Sequence, residues 1–252
     1  MIYNNASRII RAGLLNSVRF NSTIVKPSLS PALIDLRIGK IINIKRHENA
    51  DKLYVSQIQI EPTPTPTPTP NPTPTEQEST VTTAQAQAKT VQVCSGLVDF
   101  IPQSELLNSH VVLVMNLKPS KMRGVKSEAM LLAASNESQV AADATNETAT
   151  EGDQVNANVN AKAQVQVELV NPPMSLPLGQ QLFFKGYKPA DCTNFKRLKS
   201  NKWVELAGFL KTDSDGRVIF DENSDGKSSA VLGSDLNDDV CVVKSLKNCQ
   251  VR

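Results

Sequence analysis

The chain is poor in the residues that build metal and redox chemistry. It has two histidines, His47 and His110, and four cysteines, Cys94, Cys192, Cys241 and Cys249, none of them in C-x-x-C spacing. That argues against a zinc site or a disulfide framework and leaves buried or free thiols in a reducing compartment as the default. No apolar run reaches the ~18 residues of a membrane-spanning helix, so no membrane partner is expected. Aromatics are scarce, with seven Phe, three Tyr and one Trp. Net charge is only +2, so any polyanion site must be a local patch. Signatures of catalysis are missing as well. "DGKSS" at 225–229 lacks the glycine five positions before Gly226 that a phosphate-binding loop needs. "DENSDG" opens like a calcium loop, but Leu232 stands where the twelfth-position Glu belongs. No Ser/His/Asp or Cys/His set stands out. The expectation is a non-enzyme without cofactors.

What is present is unevenly spread. Residues 1–30 carry Arg8, Arg11, Arg19 and Lys26 and no acid. If residues 6–19 are helical, Ile10, Leu14 and Val18 share a stripe away from the arginines. That composition predicts a mitochondrial transit peptide, with "RFNS" near Phe20 as a cleavage point, and a matrix location; a disordered tail on a cytoplasmic protein is the alternative. Residues 62–75, "PTPTPTPTPNPTPT", alternate proline with threonine almost throughout. Proline removes backbone donors and fixes φ, so 62–88 reads as an extended, disordered insert. The Asn-, Ala-, Thr- and Gln-rich stretch 135–166 lacks the apolar content to offset ordering entropy and reads as a linker.

Between these segments the chain has the periodicity of a β protein. "LIDLRIGKIINI" alternates as a long strand, "HENADKLY" is a turn or short helix, and "YVSQIQI" is a second strand. "TVQVCSGL" is a third, "IPQSELLN" a short helix, "HVVLVMNL" a fourth strand and "EAMLLAA" a fifth. Five strands with a helix between the third and fourth give the order of an OB-fold, a Greek-key barrel that binds oligonucleotides. This places an OB domain at 31–134, with the proline insert in its β2–β3 connection, where a long loop adds little closure entropy. Residues 167–252 form a smaller, β-rich module. Its strand candidates are "VQVELV", "QQLFF", "RVIF" and "DDVCVV", and "KWVELAGFL" is a candidate helix.

The segment "NLKPSKMRGVKSEAMLLAAS" at 116–135 sets Lys118, Lys121, Arg123 and Lys126 between two apolar runs. On its own a cationic loop is usually a solvated face. Together with "LRIGKI", "HENADKLYV", "VCSGL" and "VELVNPP", it resembles the tRNA-binding domain of the endothelial-monocyte-activating polypeptide type. That domain is found at the C-termini of methionyl- and tyrosyl-tRNA synthetases, as a free bacterial protein and in the yeast synthetase cofactor. The resemblance extends into "NFKRLKSNKW". It implies a non-catalytic tRNA-binding protein that serves aminoacylation or tRNA handling, and a monomer whose C-terminal module mimics a dimer partner. The alternative is an adaptor that docks an aminoacyl-tRNA synthetase. Two departures occur: Glu48 stands where the family has Pro, and Phe195 interrupts its lysine run.

The expected RNA contacts are Lys118, Lys121, Arg123, Lys126 and Ser127 on the loop. To these are added Met130 against a base, Ser95, His47 and Lys52 nearby, and Lys196, Arg197 and Lys199 as an auxiliary track or the polar side of a helix. Arginine can fork onto phosphate where lysine cannot. The scarcity of aromatics favours a folded RNA read by shape and backbone over a single strand stacked on rings.

Overall fold

The computed structural model describes residues 29–61, 88–137, 164–222, 229–234 and 238–252. The expectations for the N-terminal segment, most of the Pro/Thr insert, most of the 135–166 linker and the "DGKSS" motif lie outside these residues.

The alternating run starting at Leu36 becomes β1 (Leu36–His47), and β2 (Ala50–Gln59) returns antiparallel to it. The "HENADKLY" segment holds no helix. Glu48 and Asn49 make the turn and the strand resumes at Ala50. β3 (Thr90–Ser95) pairs β2, α1 (Gln103–Leu106) follows Pro102, and β4 (His110–Val114) pairs the other side of β1. The cationic segment is an antiparallel hairpin, β5 (Ser120–Met122) and β6 (Val125–Ser127), where the sequence suggested an open loop. β7 (Met130–Leu131) joins β4. The chain then closes on β3: Cys94 N donates to Ser127 Oγ at 3.0 Å and Glu128 N to Gln92 O at 2.8 Å. This is the OB-type barrel, with its helix between the third and fourth barrel strands. Gly39 permits the closure. A Cβ there would lie 2.6 Å from a methyl of Ile58 and 2.8 Å from a methyl of Leu113, so any side chain would force these two core side chains to shift.

The rest of the chain builds onto the barrel. In order it supplies β8 (Ala133–Ser135), β9 (Val167–Leu169), β10 (Gln181–Phe184), α2 (Ser200–Ala207), β11 (Leu210–Thr212), β12 (Val218–Phe220), β13 (Ala230–Gly233) and β14 (Gln250–Val251). β10 pairs the start of β1 through Leu36↔Leu182, and the sheet runs on through β13, β12, β11, β14 and β8. β8 therefore straddles the boundary that composition put at 134/135. "DDVCVV" forms isolated bridges at Val240 and Val242 and no strand. β11, β13 and β14 were not anticipated; at two to four residues they are too short to display a period.

Two apolar cores result, and β1 and β4 serve both. Ile41, Ile44, Val111 and Leu113 face the barrel interior, whereas Leu36, Ile38, Val112 and Val114 face the core shared with the C-terminal module. Burial on both faces explains the unbroken apolar run of β4, since alternation is needed only where one face meets water. The second core also absorbs aromatics. The Phe220 ring lies 5.7–5.9 Å, centroid to centroid, from those of Phe184, Tyr187 and Phe209.

Candidate nucleic-acid interface

The hairpin turn is Met122-Arg123-Gly124-Val125. Arg123 has φ 49° and Gly124 φ 94°. Two positive φ values are the signature of a type I′ turn, whose twist matches that of the flanking strands. Gly124 takes this conformation freely. For Arg123 the left-handed region costs ~1–2 kcal/mol, and Asn is the residue that usually fills the position. A strained, charged, exposed residue at a tip is a feature that stability does not explain. Lys121 and Lys126 sit directly opposite each other on the two strands, an arrangement of like charges that also disfavours the hairpin.

The barrel braces this hairpin from behind. His47 Nε2 donates to the Met122 carbonyl at 3.1 Å, while its Nδ1 accepts from Asn49 N at 3.0 Å. Gln92 Nε2 donates to Lys126 O at 2.8 Å. Ser127 Oγ accepts from Cys94 N and donates to Ala129 O, each at 3.0 Å. His47 and Ser127, expected as contact residues, are both buried with polar atoms bonded within the protein, and they brace the hairpin as struts. Lys52 is exposed but pairs with Asp99 at 3.2 Å, not with the neighbouring Asp51. Lys126 pairs with Glu128 at 2.8 Å. That hydrogen bond, with a second from the Gln92 amide, holds the Glu128 carboxyl below the usual carboxylate range.

Lys118, Lys121 and Arg123 are exposed and make no ion pair among the described residues. The C-terminal track joins them. Leu117 and Leu198 form a parallel bridge, and Leu198 N donates to Asn116 O at 2.8 Å. Lys118 and Lys199 each follow directly on a residue of this bridge. Lys196, Arg197 and Lys199 are exposed and likewise unpaired among the described residues. Lys199 precedes α2 as its N-cap, so this track is a loop before the helix and not the helix's polar side. The suture is Asn116, which sequence reading missed. Its Nδ2 donates to Leu33 O at 2.8 Å and Lys196 O at 2.9 Å, and its Oδ1 accepts from Asp35 N at 3.0 Å. Pro119 and Glu128 on one side and Asn194 and Arg197 on the other line one cleft of about 340 Å³. Ser95 and Met130 lie elsewhere, in a cavity under the hairpin.

A cationic hairpin on an OB barrel defines a nucleic-acid-binding class, and comparison with known proteins narrows it. The family described as the putative tRNA binding domain matches residues 71–154, which include β3 to β8. Over 193 residues the chain is 33% identical to the cytoplasmic tyrosine–tRNA ligase of Xenopus tropicalis, covering 77% of this chain and 26% of that protein. Over 223 residues it is 30% identical to a probable methionine–tRNA ligase of Oryza sativa subsp. japonica, covering 88% of this chain and 20% of that protein. The solved C-terminal domain of Plasmodium vivax p43 superposes with a TM-score of 0.55 at 18% identity, covering 88% of this chain and 98% of that one. The last comparison shows a common fold. The chain spans about a quarter or less of the length of these curated relatives. Residues 71–154 belong to this tRNA-binding domain family, and the homologues of the chain are the C-terminal domains of tyrosine– and methionine–tRNA ligases.

Proposed function

We propose that the chain is a non-catalytic tRNA-binding protein that grips the sugar–phosphate surface of folded tRNA and assists aminoacylation or tRNA handling. One observation carries this reading. Lys118, Lys121, Arg123, Lys196, Arg197 and Lys199 lie on two bridged segments and have no carboxylate partner among the described residues. Elsewhere, Lys45, Lys89, Lys185 and Arg217 each sit on an acid. A protein gains nothing in stability from leaving like charges clustered and unneutralised, whereas a polyanion that displaces counterions does. The braced hairpin supports the same reading, because it holds the cations at a fixed spacing before the RNA arrives.

The test is a tRNA titration across salt. Log K should fall with log[salt] with a slope of about four to six, one unit for each neutralised phosphate. Lys121→Ala with Arg123→Ala should remove most binding from a folded protein; salt-independent affinity would defeat the reading.

A second role, docking a synthetase, is favoured by the relatives, in which the matching segment belongs to a ligase chain. Pull-down with and without RNase separates it from RNA tethering: a partner retained after RNase is bound by protein contact. A monomer is favoured by the C-terminal module, which covers Leu36, Ile38, Val112 and Val114. The mitochondrial location rests on residues 1–30 alone, and a reporter fused to them that stays in the cytosol would remove it.

A further inference from the structure

A cavity of about 480 Å³ opens beneath the hairpin, within the size range of small-molecule sites. Ser95, Leu97, Phe100, Met122, Met130 and Leu131 are among the residues that line it. Two of them, Phe100 and Met122, are large apolar side chains left 43% and 37% exposed. Met122 is also the residue before Arg123. One turn therefore presents a guanidinium to solvent and a thioether to the cavity, and the His47 hydrogen bond to the Met122 carbonyl fixes the backbone between them.

The polar lining is as informative. Ser95 Oγ is shielded from solvent and has no hydrogen-bond partner. The charged residues on the lining, Glu137 and Arg252, pair with each other, so neither is free to take a phosphate or a carboxylate. What remains is an apolar slot with the sulfurs of Met122 and Met130 and the ring of Phe100 on its lining. That chemistry suits the face of a neutral flat ring.

We propose that this cavity receives an unstacked nucleobase of the RNA whose backbone lies on the hairpin. The proposal rests on the tRNA reading above and adds a base contact to it. Folded RNAs present splayed bases in their loops, and a base face against an aromatic ring is tolerant of sequence. Met122 and Met130 supply sulfur contacts with the ring. The occupant follows from continuity: the phosphate-binding turn and the apolar slot share adjacent residues, as a nucleotide's two halves require.

The test uses the full chain carrying ¹³C-methyl methionine, titrated with unfractionated tRNA at fixed low salt. The ε-methyls of Met122 and Met130 should move upfield under the base's ring current. That of Met174, 74% exposed and not on the cavity lining, should not. Phe100→Ala should weaken tRNA binding ~10-fold with an unchanged salt slope, because stacking is lost and no cation is. Arg123→Ala should flatten the slope. Unmoved methyls and a neutral Phe100→Ala alongside intact, salt-dependent binding would overturn the cavity proposal and leave the backbone reading standing. Methyls that respond to an apolar peptide and not to tRNA would overturn it in favour of a protein ligand. A wild-type chain with no salt-dependent tRNA affinity would remove both readings at once.

Discussion

Arg123 is where stability and binding pull apart, and Arg123→Asn measures both. In the free protein the residue sits at φ 49°, a region in which an ordinary L-residue loses ~1–2 kcal/mol and Asn much less. Gly124 follows it, so the variant has the Asn-Gly pair that type I′ turns favour. The hairpin should gain ~1 kcal/mol. Should it unfold with the rest of the fold, Tm rises by about 2–4 °C. Should it open locally, the gain appears only as slower amide exchange at Lys121 to Lys126. Removing one cation also relieves the repulsion among Lys121, Lys126 and Arg123. On the RNA side, a charge-assisted hydrogen bond of ~1.5–3 kcal/mol is lost, or roughly 10- to 150-fold in affinity, and the salt slope drops by about one. Thermal melts, hydrogen exchange and filter binding across salt give the three readouts. Arg123→Lys is the control: it keeps the strain and the charge and loses only the fork. A variant that is less stable than the wild type, or that binds tRNA with unchanged slope, refutes the claim that this strain is maintained for phosphate contact.

Two further variants follow from the same geometry. Glu128→Gln should free Lys126 and remove a carboxylate beside the hairpin, so tRNA affinity and salt slope both rise; unchanged binding would show that Lys126 stands apart from the RNA. Glu128 is held below the usual carboxylate range, so its contribution to folding is complete above the ordinary glutamate range and is lost as pH falls through the lowered value. The wild type should accordingly lose its stability advantage over Glu128→Gln in acid melts below about pH 4. Asn116→Ala should cost roughly 1–3 kcal/mol, because Asp35 N loses a partner in a buried setting and Leu33 O and Lys196 O lose theirs in partly buried ones. It should also let 196–199 drift from Lys118 and weaken tRNA binding without touching a cation. A variant with wild-type melting and affinity would show that the suture is dispensable.

The barrel was legible in the sequence because its strands are long enough to show a period and its helix is marked by Pro102. The hairpin was not, for the same reason that makes it informative: Arg-Gly is not a dipeptide that announces a type I′ turn. The cations of the interface could be read from composition, but their association could not. The bridge of Leu117 to Leu198 joins segments some 80 residues apart through a buried asparagine, which carries no local signature. His47 and Ser127 looked like ligands because residue type shows donor capacity and not whether the protein already uses it. Met130 and Ser95 were singled out, yet the cavity that unites them with Phe100 and Met122 exists only once β3, β7 and the hairpin are folded together.

One consequence of the doubly enclosed β4 reaches beyond this site. Val111 to Val114 are each fully covered, two on either side, so the strand is a party wall with no outdoor face. A change of volume there is felt in both rooms, and neither half can be repacked while the other stays fixed. A substitution that is to leave both cores undisturbed has to fall at the rims.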